Sequence, residues 1–302
     1  TVAEAGPGAT GTMIDLTKCT GCGECMTACT TKNADRFPQP VADIPDNWPT
    51  GRKEDWSDVA DKTDMLTPYN WLFIEQVEID GQTLSVPRRC MHCDNPPCAK
   101  LCPFSVQEKT PEGAVTIDTD KCMGGAKCRA VCPWEVPQRQ AGVGLYMKLA
   151  PGLLGGGVMY KCDMCADLIA DGTQPACVSA CPTGALAFGD KEQMRLAAEQ
   201  RAAEIDGHIY GAEENGGTST FYVSPVPFER IDEAIDRRKE QLPERFQKSV
   251  PGMTPAVGNY LDTSEGLATS YAIAPVAGLA AASPARGAGR SAAHPRTTAC
   301  RL

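Results

Sequence analysis

The sequence predicts an α+β protein made of two pseudo-symmetric halves, with a hairpin-bearing insertion and a C-terminal helical wrap. Two observations carry this prediction. Of the 16 cysteines in 302 residues, all but one lie between Cys19 and Cys181. They fall into four groups that repeat one pattern, a cysteine loop and a short helix with β-prone runs nearby. A repeated unit of this kind predicts internal pseudo-symmetry.

Four cysteine groups define the repeat. The groups span residues 19–29, 90–102, 122–132 and 162–181. Groups two, three and four each close on a Cys-Pro pair. Short β-prone runs that border the groups lie at residues 13–16, 113–118 and 185–188.

An insertion, residues 31–89, separates groups one and two. It ends in two β-prone runs on either side of Asp80-Gly81. Because an Asp-Gly pair between such runs is typical of a two-residue turn, the insertion is predicted to carry a β-hairpin.

The chain beyond group four contains no further cysteine group. Residues 191–205 and 228–242 have the charge density and spacing of surface helices. They predict a helical wrap over residues 191–250. Residues 251–302 are expected to form an extended, partly disordered tail, because their last part is Ala-, Gly-, Pro- and Arg-rich.

The spacing inside the groups predicts iron–sulfur clusters. In a Cys-x2-Cys-x2-Cys loop three thiolates bind one cluster, and a fourth cysteine, three residues further on, ligates the other cluster of a pair. Nested cross-ligation pairs group one with group four and group two with group three. Each pair then forms a ferredoxin-like half that holds two clusters, half one from residues 12–30 and 158–190 and half two from residues 90–157.

Four ligand sets follow, and we name them sites I to IV. Site I comprises Cys19, Cys22, Cys25 and Cys181. Site II comprises Cys162, Cys165, Cys177 and Cys29. Site III comprises Cys90, Cys93, Cys98 and Cys132. Site IV comprises Cys102, Cys122 and Cys128. Sites I to III are predicted to hold 4Fe-4S clusters, with iron bound through these cysteines.

Site IV lacks one ligand, because Gly125 stands where the second of four cysteines would fall. Three thiolates predict a 3Fe-4S cluster. The alternative is a 4Fe-4S cluster whose fourth iron is bound by water, hydroxide or a nearby side chain. The 3Fe-4S cluster is favoured because sulfur ligation normally retains that iron.

Two other uses of the cysteines are less compatible with the spacing. A zinc knuckle needs two cysteines, and zinc binding gives no reason for a third cysteine two residues further along the chain. A disulfide scaffold would require strained short loops among cysteines this crowded.

Composition and motifs argue against other functions. The formal net charge is -9 and no folded-looking stretch concentrates basic residues, so nucleic acid is not an expected partner. The sequence contains no dinucleotide fingerprint or phosphate-binding loop, and its three histidines do not support a catalytic triad. We therefore expect a non-catalytic electron-transfer protein.

Several residues near the ligands have predicted supporting roles. His92 is expected to donate a hydrogen bond that tunes a cluster, rather than to bind metal. Four basic residues are candidates to offset cluster charge, with solvated surface roles as the alternative: Lys100, Lys121, Lys127 and Arg129. Cys300 is expected to have no ligand role.

The four groups in this order, the Gly125 exception and the Cys-Pro endings resemble the four-cluster iron–sulfur beta subunits of molybdopterin oxidoreductases, formate dehydrogenases and periplasmic nickel–iron hydrogenases. Segments between the ligands are also similar, among them Leu66-Thr-Pro-Tyr-Asn70 and the stretch from Tyr210 to Thr218. The resemblance implies two stacked double-cluster halves that form a wire. In that arrangement a large catalytic oxidoreductase subunit lies at one end, and a membrane quinone-binding or cytochrome subunit at the other.

Two features depart from that family. Gly125 replaces a ligand that many members have as Cys and some as Trp. The apolar stretch 267–282 lies where hydrogenase-associated relatives carry a membrane anchor, but it is short and contains Pro275.

The predicted function is electron transfer through three 4Fe-4S clusters and one 3Fe-4S cluster, in a respiratory-chain oxidoreductase complex. The alternative is a free soluble polyferredoxin that carries electrons between enzymes. The resemblance favours a location at a membrane as part of a complex, on the periplasmic rather than the cytoplasmic side.

Overall fold

Short strands and helices alternate through the part of the chain that the structure describes, which is residues 8–47, 51, 53–153 and 156–272 of a computed structural model. The strands are β1 (Thr10–Asp15), β2 (Phe73–Ile79), β3 (Gln82–Arg88), β4 (Gln107–Lys109), β5 (Val115–Ile117), β6 (Gln138–Gln140), β7 (Val158–Tyr160), β8 (Leu186–Asp190), β9 (His208–Tyr210) and β10 (Thr220–Ser224). The α-helices are α1 (Glu24–Asn33), α2 (Pro97–Lys100), α3 (Lys127–Ala130), α4 (Tyr146–Leu149), α5 (Ala166–Ala170), α6 (Ala176–Ser179), α7 (Lys191–Glu204), α8 (Phe228–Gln241) and α9 (Glu244–Gln247). Residues 264–272 are also helical. The fold is thus of the predicted mixed helix and strand kind.

One four-stranded sheet joins the start of the chain to its C-terminal third. β1 is an inner strand, antiparallel to β8 and parallel to β10, and β9 lies beyond β10. On one face, Ala198 and Ala202 of α7 form a core with three residues of β1 and β10, namely Met13, Phe221 and Val223. Because β1 precedes group one and β8 follows group four, this sheet brings the two groups together.

The predicted hairpin at the end of the insertion is confirmed. β2 and β3 pair antiparallel, with Ile79 opposite Gln82. Between them, Asp80 and Gly81 have φ angles of 53° and 76°. Positive φ at both positions is what a type I′ hairpin turn requires, and it explains the Asp-Gly pair.

The two predicted surface helices are confirmed, whereas five of the described strands are missed. α7 and α8 begin at the residues predicted from the sequence, Lys191 and Phe228. The prediction contains none of β4, β6, β7, β9 and β10. All five residues of β10 are buried, so this strand shows no polar alternation that would reveal it in the sequence.

Short helices follow the cysteine loops and pack in pairs. α1 of group one contacts α6 of group four, and α2 of group two contacts α3 of group three. In the middle of the chain β4 pairs with β5, and β6 pairs with β7. The boundaries of the two predicted halves and of the insertion stay a prediction.

Most of the cysteines from Cys19 to Cys181 lie inside the protein rather than on its surface. The main hydrophobic core contains cysteines of all four groups, together with large side chains such as Trp71 and Phe73. Over the described ranges, no helix has the length and apolar character needed to cross a membrane. The tail beyond residue 272, with most of the apolar stretch 267–282 and Cys300, lies outside the described residues.

Candidate iron–sulfur sites

The structure brings together the cysteines of each predicted set, although they come from distant parts of the chain. At site II, Cys29 of group one joins Cys162, Cys165 and Cys177 of group four around a cavity of about 320 Å³. The four cysteines of site III line a cavity of about 310 Å³. At site IV, three cysteines and Gly125 line a cavity of about 440 Å³. The cavity of the site with a missing cysteine is the largest of these three.

Site I is formed where Cys181 of group four reaches the loop of group one. Burial raises the pKa of Cys25 to about 12, and the neighbouring charges of Cys19, Cys181 and Cys22 contribute to this rise. The four sulfurs are therefore close enough to interact. Cys22 is exposed, so site I reaches the protein surface.

The four sites follow one another in a row. Burial is the largest cause of the raised pKa of Cys177, Cys162 and Cys128, and in each case a thiol of the next site adds to it. The thiols that interact electrostatically across neighbouring sites are Cys25 with Cys177, Cys90 with Cys162, and Cys132 with Cys128. The row runs from site I to site IV, with exposed residues at both ends, Cys22 and Gly125.

Left-handed backbone conformations curl the ligand loops. Gly21 and Gly23 in group one have φ angles of 70° and 82°, which glycine adopts without steric cost. In group three, Gly124 has a φ of 66°, and a Cβ atom there would lie 2.2 Å from the carbonyl oxygen of Gly157. The close approach of these two segments therefore depends on glycine at residue 124.

The chemistry of the donor sets fits iron–sulfur clusters. Burial raises the pKa of Cys165 and Cys128 to about 12, and that of Cys29 well above its usual range. Thiolates at such positions need compensating positive charge, which bound iron supplies. Thiolate ligands arranged around a cavity suit a cluster of several irons better than a hard cation.

Two further observations concern single-ion metal sites and disulfide bonds. In the portion of the chain described here, no three His, Cys, Asp or Glu side chains are placed to hold a single metal ion. All 15 cysteines from Cys19 to Cys181 are thiols without a disulfide partner.

Amide groups donate hydrogen bonds to several of these sulfurs. The side-chain amide of Asn215 lies 3.0 Å from the sulfur of Cys93, and the backbone amide of Met164 lies 3.3 Å from the sulfur of Cys162. Such hydrogen bonds favour the thiolate and help to set a cluster's potential. Asn215 lies in the Tyr210 to Thr218 segment that carries part of the family resemblance, and that segment is the sequence signal that could have identified it.

His92 belongs to the loop of site III but faces a sulfur of site II. It is fully buried, and its Nδ1 accepts a hydrogen bond of 2.9 Å from the backbone amide of Val115. Its Nε2 lies 3.6 Å from the sulfur of Cys162. Because Nδ1 accepts this hydrogen bond, it carries no proton, and the N–H of the ring is on Nε2. This geometry agrees with the predicted hydrogen-bond donor role. The acceptor is a sulfur of site II, which the sequence did not indicate.

The basic residues predicted to offset cluster charge have other main partners. Lys100 is exposed. Arg129 forms two hydrogen bonds to the carboxylate of Glu54, at 2.8 and 2.7 Å. The ammonium group of Lys127 lies 5.3 Å from the ring centre of Tyr260. These contacts favour structural roles for these residues.

The buried basic groups beside the sulfurs are instead Arg89 and Lys161, which the sequence prediction misses. Arg89 is 3% exposed and Lys161 is 6% exposed. A signal for them exists, because a basic residue directly precedes the first cysteine of every group. At the two ends of the row these residues, Lys18 and Lys121, have 45% and 73% of their side chains exposed. Only tertiary structure separates the buried pair from the exposed pair.

These features define an electron-transfer protein class, the cysteine-rich proteins that bind iron–sulfur clusters. Comparison with known families supports this, since two models described as 4Fe-4S dicluster domain match the chain, one over residues 18–106 and the other over residues 82–150 and 154–191.

Three relatives identify the family. The hydrogenase-2 operon protein HybA of Escherichia coli O157:H7 is 30% identical over 266 residues, which are 75% of this chain and 73% of the relative. The formate dehydrogenase iron–sulfur subunit of Haemophilus influenzae is 31% identical over 70% of this chain and 63% of its own length. A protein of Halobacterium salinarum that is named as a dimethyl sulfoxide reductase iron–sulfur subunit is 32% identical over 71% of this chain and 78% of its own length. The chain belongs to this family of iron–sulfur subunits of oxidoreductase complexes with 4Fe-4S dicluster domains. Among the relatives compared, the share of the relative's length that this chain spans runs from 55% to 78%.

Proposed function

We propose that this chain carries electrons one at a time through four iron–sulfur clusters, between a catalytic oxidoreductase subunit and a membrane quinone-binding or cytochrome subunit. The observation that carries the proposal is the row of four cysteine sets, buried in the middle and exposed at both ends. A row of this kind connects two docking surfaces, and it needs no substrate pocket between them.

The ligand assignment is part of the proposal. Sites I, II and III would each bind a 4Fe-4S cluster through four cysteines, and site IV would bind a 3Fe-4S cluster through three. When bound, the clusters supply reversible one-electron chemistry. The chain contributes ligands, burial that excludes water, and hydrogen bonds such as that from Asn215 to Cys93, at 3.0 Å.

The two exposed ends support two different partners. At site I the exposed Cys22 brings the ligand loop to the surface, and at site IV the exposed Gly125 does the same. We propose that the catalytic subunit covers one of these ends and the membrane subunit the other. The chain would have no catalytic site of its own, and it would lie at the membrane through its partners, on the periplasmic side.

Cluster content and assembly state test the proposal. In anaerobically purified native complex this chain should account for about 15 iron and about 16 sulfide ions per copy, in addition to any iron bound by its partner subunits, as three cubanes and one three-iron cluster require. Size-exclusion chromatography should recover the chain together with a catalytic subunit. Zinc in place of iron would refute the cluster assignment, whereas a fully loaded chain recovered alone would favour the soluble polyferredoxin.

A further inference from the structure

Three hydrogen-bond donors converge on one sulfur at the junction between sites II and III. The guanidinium of Arg89 lies 3.9 Å from the sulfur of Cys162, and the Nε2 atom of His92 lies 3.6 Å from the same sulfur. The backbone amide of Met164 lies 3.3 Å from it. Arg89 and His92 both belong to the loop that carries the ligands of site III.

Lys161 makes the reciprocal connection. It directly precedes Cys162 of site II, but its ammonium group donates to the carbonyl oxygen of Val115, in the half that contains site III. It also lines the cavity of site III together with Cys90 and Cys98. Each central loop therefore extends a buried basic residue toward the cysteines of the other site.

Within the described ranges, neither Arg89 nor Lys161 forms an ion pair with Asp or Glu, and the Nε atom of Arg89 has no hydrogen-bond partner. By contrast, Arg36 near site II is paired, since it lies 2.6 Å from a carboxylate oxygen of Asp163.

A further buried basic residue near site III is also neutralised. Lys109, which donates to the carbonyl oxygen of Cys93, lies 3.3 Å from a carboxylate oxygen of Asp94. A buried charge without a partner costs several kcal/mol. The anion that compensates Arg89 and Lys161 is therefore to be sought at the cysteine sites themselves.

We infer that Arg89, His92 and Lys161 are positioning residues that raise the reduction potentials of sites II and III above those the same clusters would have without them, and we name them the basic junction. The inference rests on the proposed function, since it requires clusters at these sites. Reduction adds one electron, taken from the neighbouring site and passed to the next one, and therefore one unit of negative charge. A buried cation or donor at the sulfur stabilises the reduced form more than the oxidised form, because the reduced form is the more negative.

The two ends of the row lack this arrangement. The residues that correspond to Arg89 and Lys161 are Lys18 and Lys121, which are exposed and paired with Asp15 and Asp118. Solvent and a carboxylate screen their charge. The basic junction is therefore expected to make the two central sites easier to reduce than the same clusters would be without it.

Potentiometric titration followed by EPR on the holoprotein tests this inference. In Arg89→Gln the midpoint potential of site II should fall by at least the equivalent of a tenfold change in the ratio of oxidised to reduced cluster, which is about 59 mV for one electron. In Lys161→Met the potential of site III should fall by a similar amount. The charge-conserving variants Arg89→Lys and Lys161→Arg should recover most of the parent potential.

Lys121→Met is the matched control, because Lys121 precedes Cys122 as Lys161 precedes Cys162 but is exposed. It should leave all four potentials unchanged. Equal falls in Lys121→Met and Lys161→Met would overturn the inference, as would unchanged potentials in charge-removing variants that retain their clusters. Iron and sulfide analysis of the parent protein separates the two levels of the argument, since missing clusters there would refute the proposed function instead.

A further measurement uses the parent protein, so it does not depend on whether a variant folds. The chain contains three histidines, of which His92 is fully buried and His208 is exposed. After selective labelling of histidine with ¹⁵N, pulsed EPR of the reduced protein should show nitrogen coupling to the cluster at site II. Absence of any coupling in fully loaded protein would remove His92 from the basic junction and overturn the inference as stated.

Discussion

Replacement of Gly125 by cysteine should convert site IV from a three-iron to a four-iron cluster. A Cβ atom at this position would have no heavy atom within 4 Å, apart from its chain neighbours, and the backbone φ of Gly125 lies outside the left-handed region. The new side chain therefore causes neither a clash nor backbone strain. It would add a fourth thiol to a cavity of about 440 Å³ that already has three.

The expected effects are large compared with experimental error. Iron content should rise by about one ion per chain, to about 16, and the midpoint potential of site IV should fall by on the order of 100 mV, since cluster type and ligand charge are major determinants of potential. Stability should not decrease, because replacing glycine at an unstrained position reduces the entropy of the unfolded chain and contributes about 0.4–1 kcal/mol.

Low-temperature EPR of the oxidised protein provides the assay. The parent should show the sharp S = 1/2 signal of a 3Fe-4S cluster, and Gly125→Cys should lose it while a reduced-state cubane signal appears. A fully loaded parent without the sharp signal would refute the three-iron assignment and favour a cubane with a non-cysteine ligand. A variant that keeps the sharp signal and the parent iron content would show that residue 125 does not face the cluster.

Two neighbouring substitutions serve as controls. Gly125→Ala occupies the same open space without a ligand, so it should keep the three-iron signal. Gly124→Ala should disrupt the ligand loop of group three, because φ at residue 124 is 66° and the new Cβ atom would lie 2.2 Å from the carbonyl oxygen of Gly157. We expect Gly124→Ala to lose most of its site IV cluster, measured as the EPR spin count, while the spin counts of the other three sites change little.

Two further predictions concern the surroundings of sites III and IV. Asn215→Gly removes the amide donor to the sulfur of Cys93, and glycine tolerates the φ of 55° found at this position. The potential of site III should therefore fall by roughly 40 mV, corresponding to about 1 kcal/mol. An unchanged potential in titrations would contradict a role for this hydrogen bond. Glu54→Gln removes the carboxylate shared by Arg129 and Arg139, each at 2.7 Å, and should destabilise the protein by about 2 kcal/mol, less than a fully buried pair because Glu54 remains partly exposed. The measurement is the chemical denaturation midpoint of the loaded protein, and an unchanged midpoint would show that this contact contributes nothing.

Local features of the fold were predictable where neighbouring residues in the sequence alone determine them. The turn at Asp80-Gly81 requires positive φ at two adjacent residues, and residue type alone largely determines which residues can adopt it. The helix that begins at Lys191 shows in the sequence the charge density and spacing of a surface helix. By contrast, β1 extends back to Thr10, three residues before the predicted run, because pairing with β8 continues to that point.

The sequence by itself determined the chemistry of this protein. Cysteine spacing is local information, and it defined four groups, the exception at Gly125 and the membership of the iron–sulfur family that the comparisons bear out. Only tertiary structure decided which surroundings each group has. A basic residue precedes every group, yet Arg89 and Lys161 are buried between two sites while Lys18 and Lys121 face water. The physical reason is that burial depends on packing between segments far apart in the chain, which no pattern within a single group encodes.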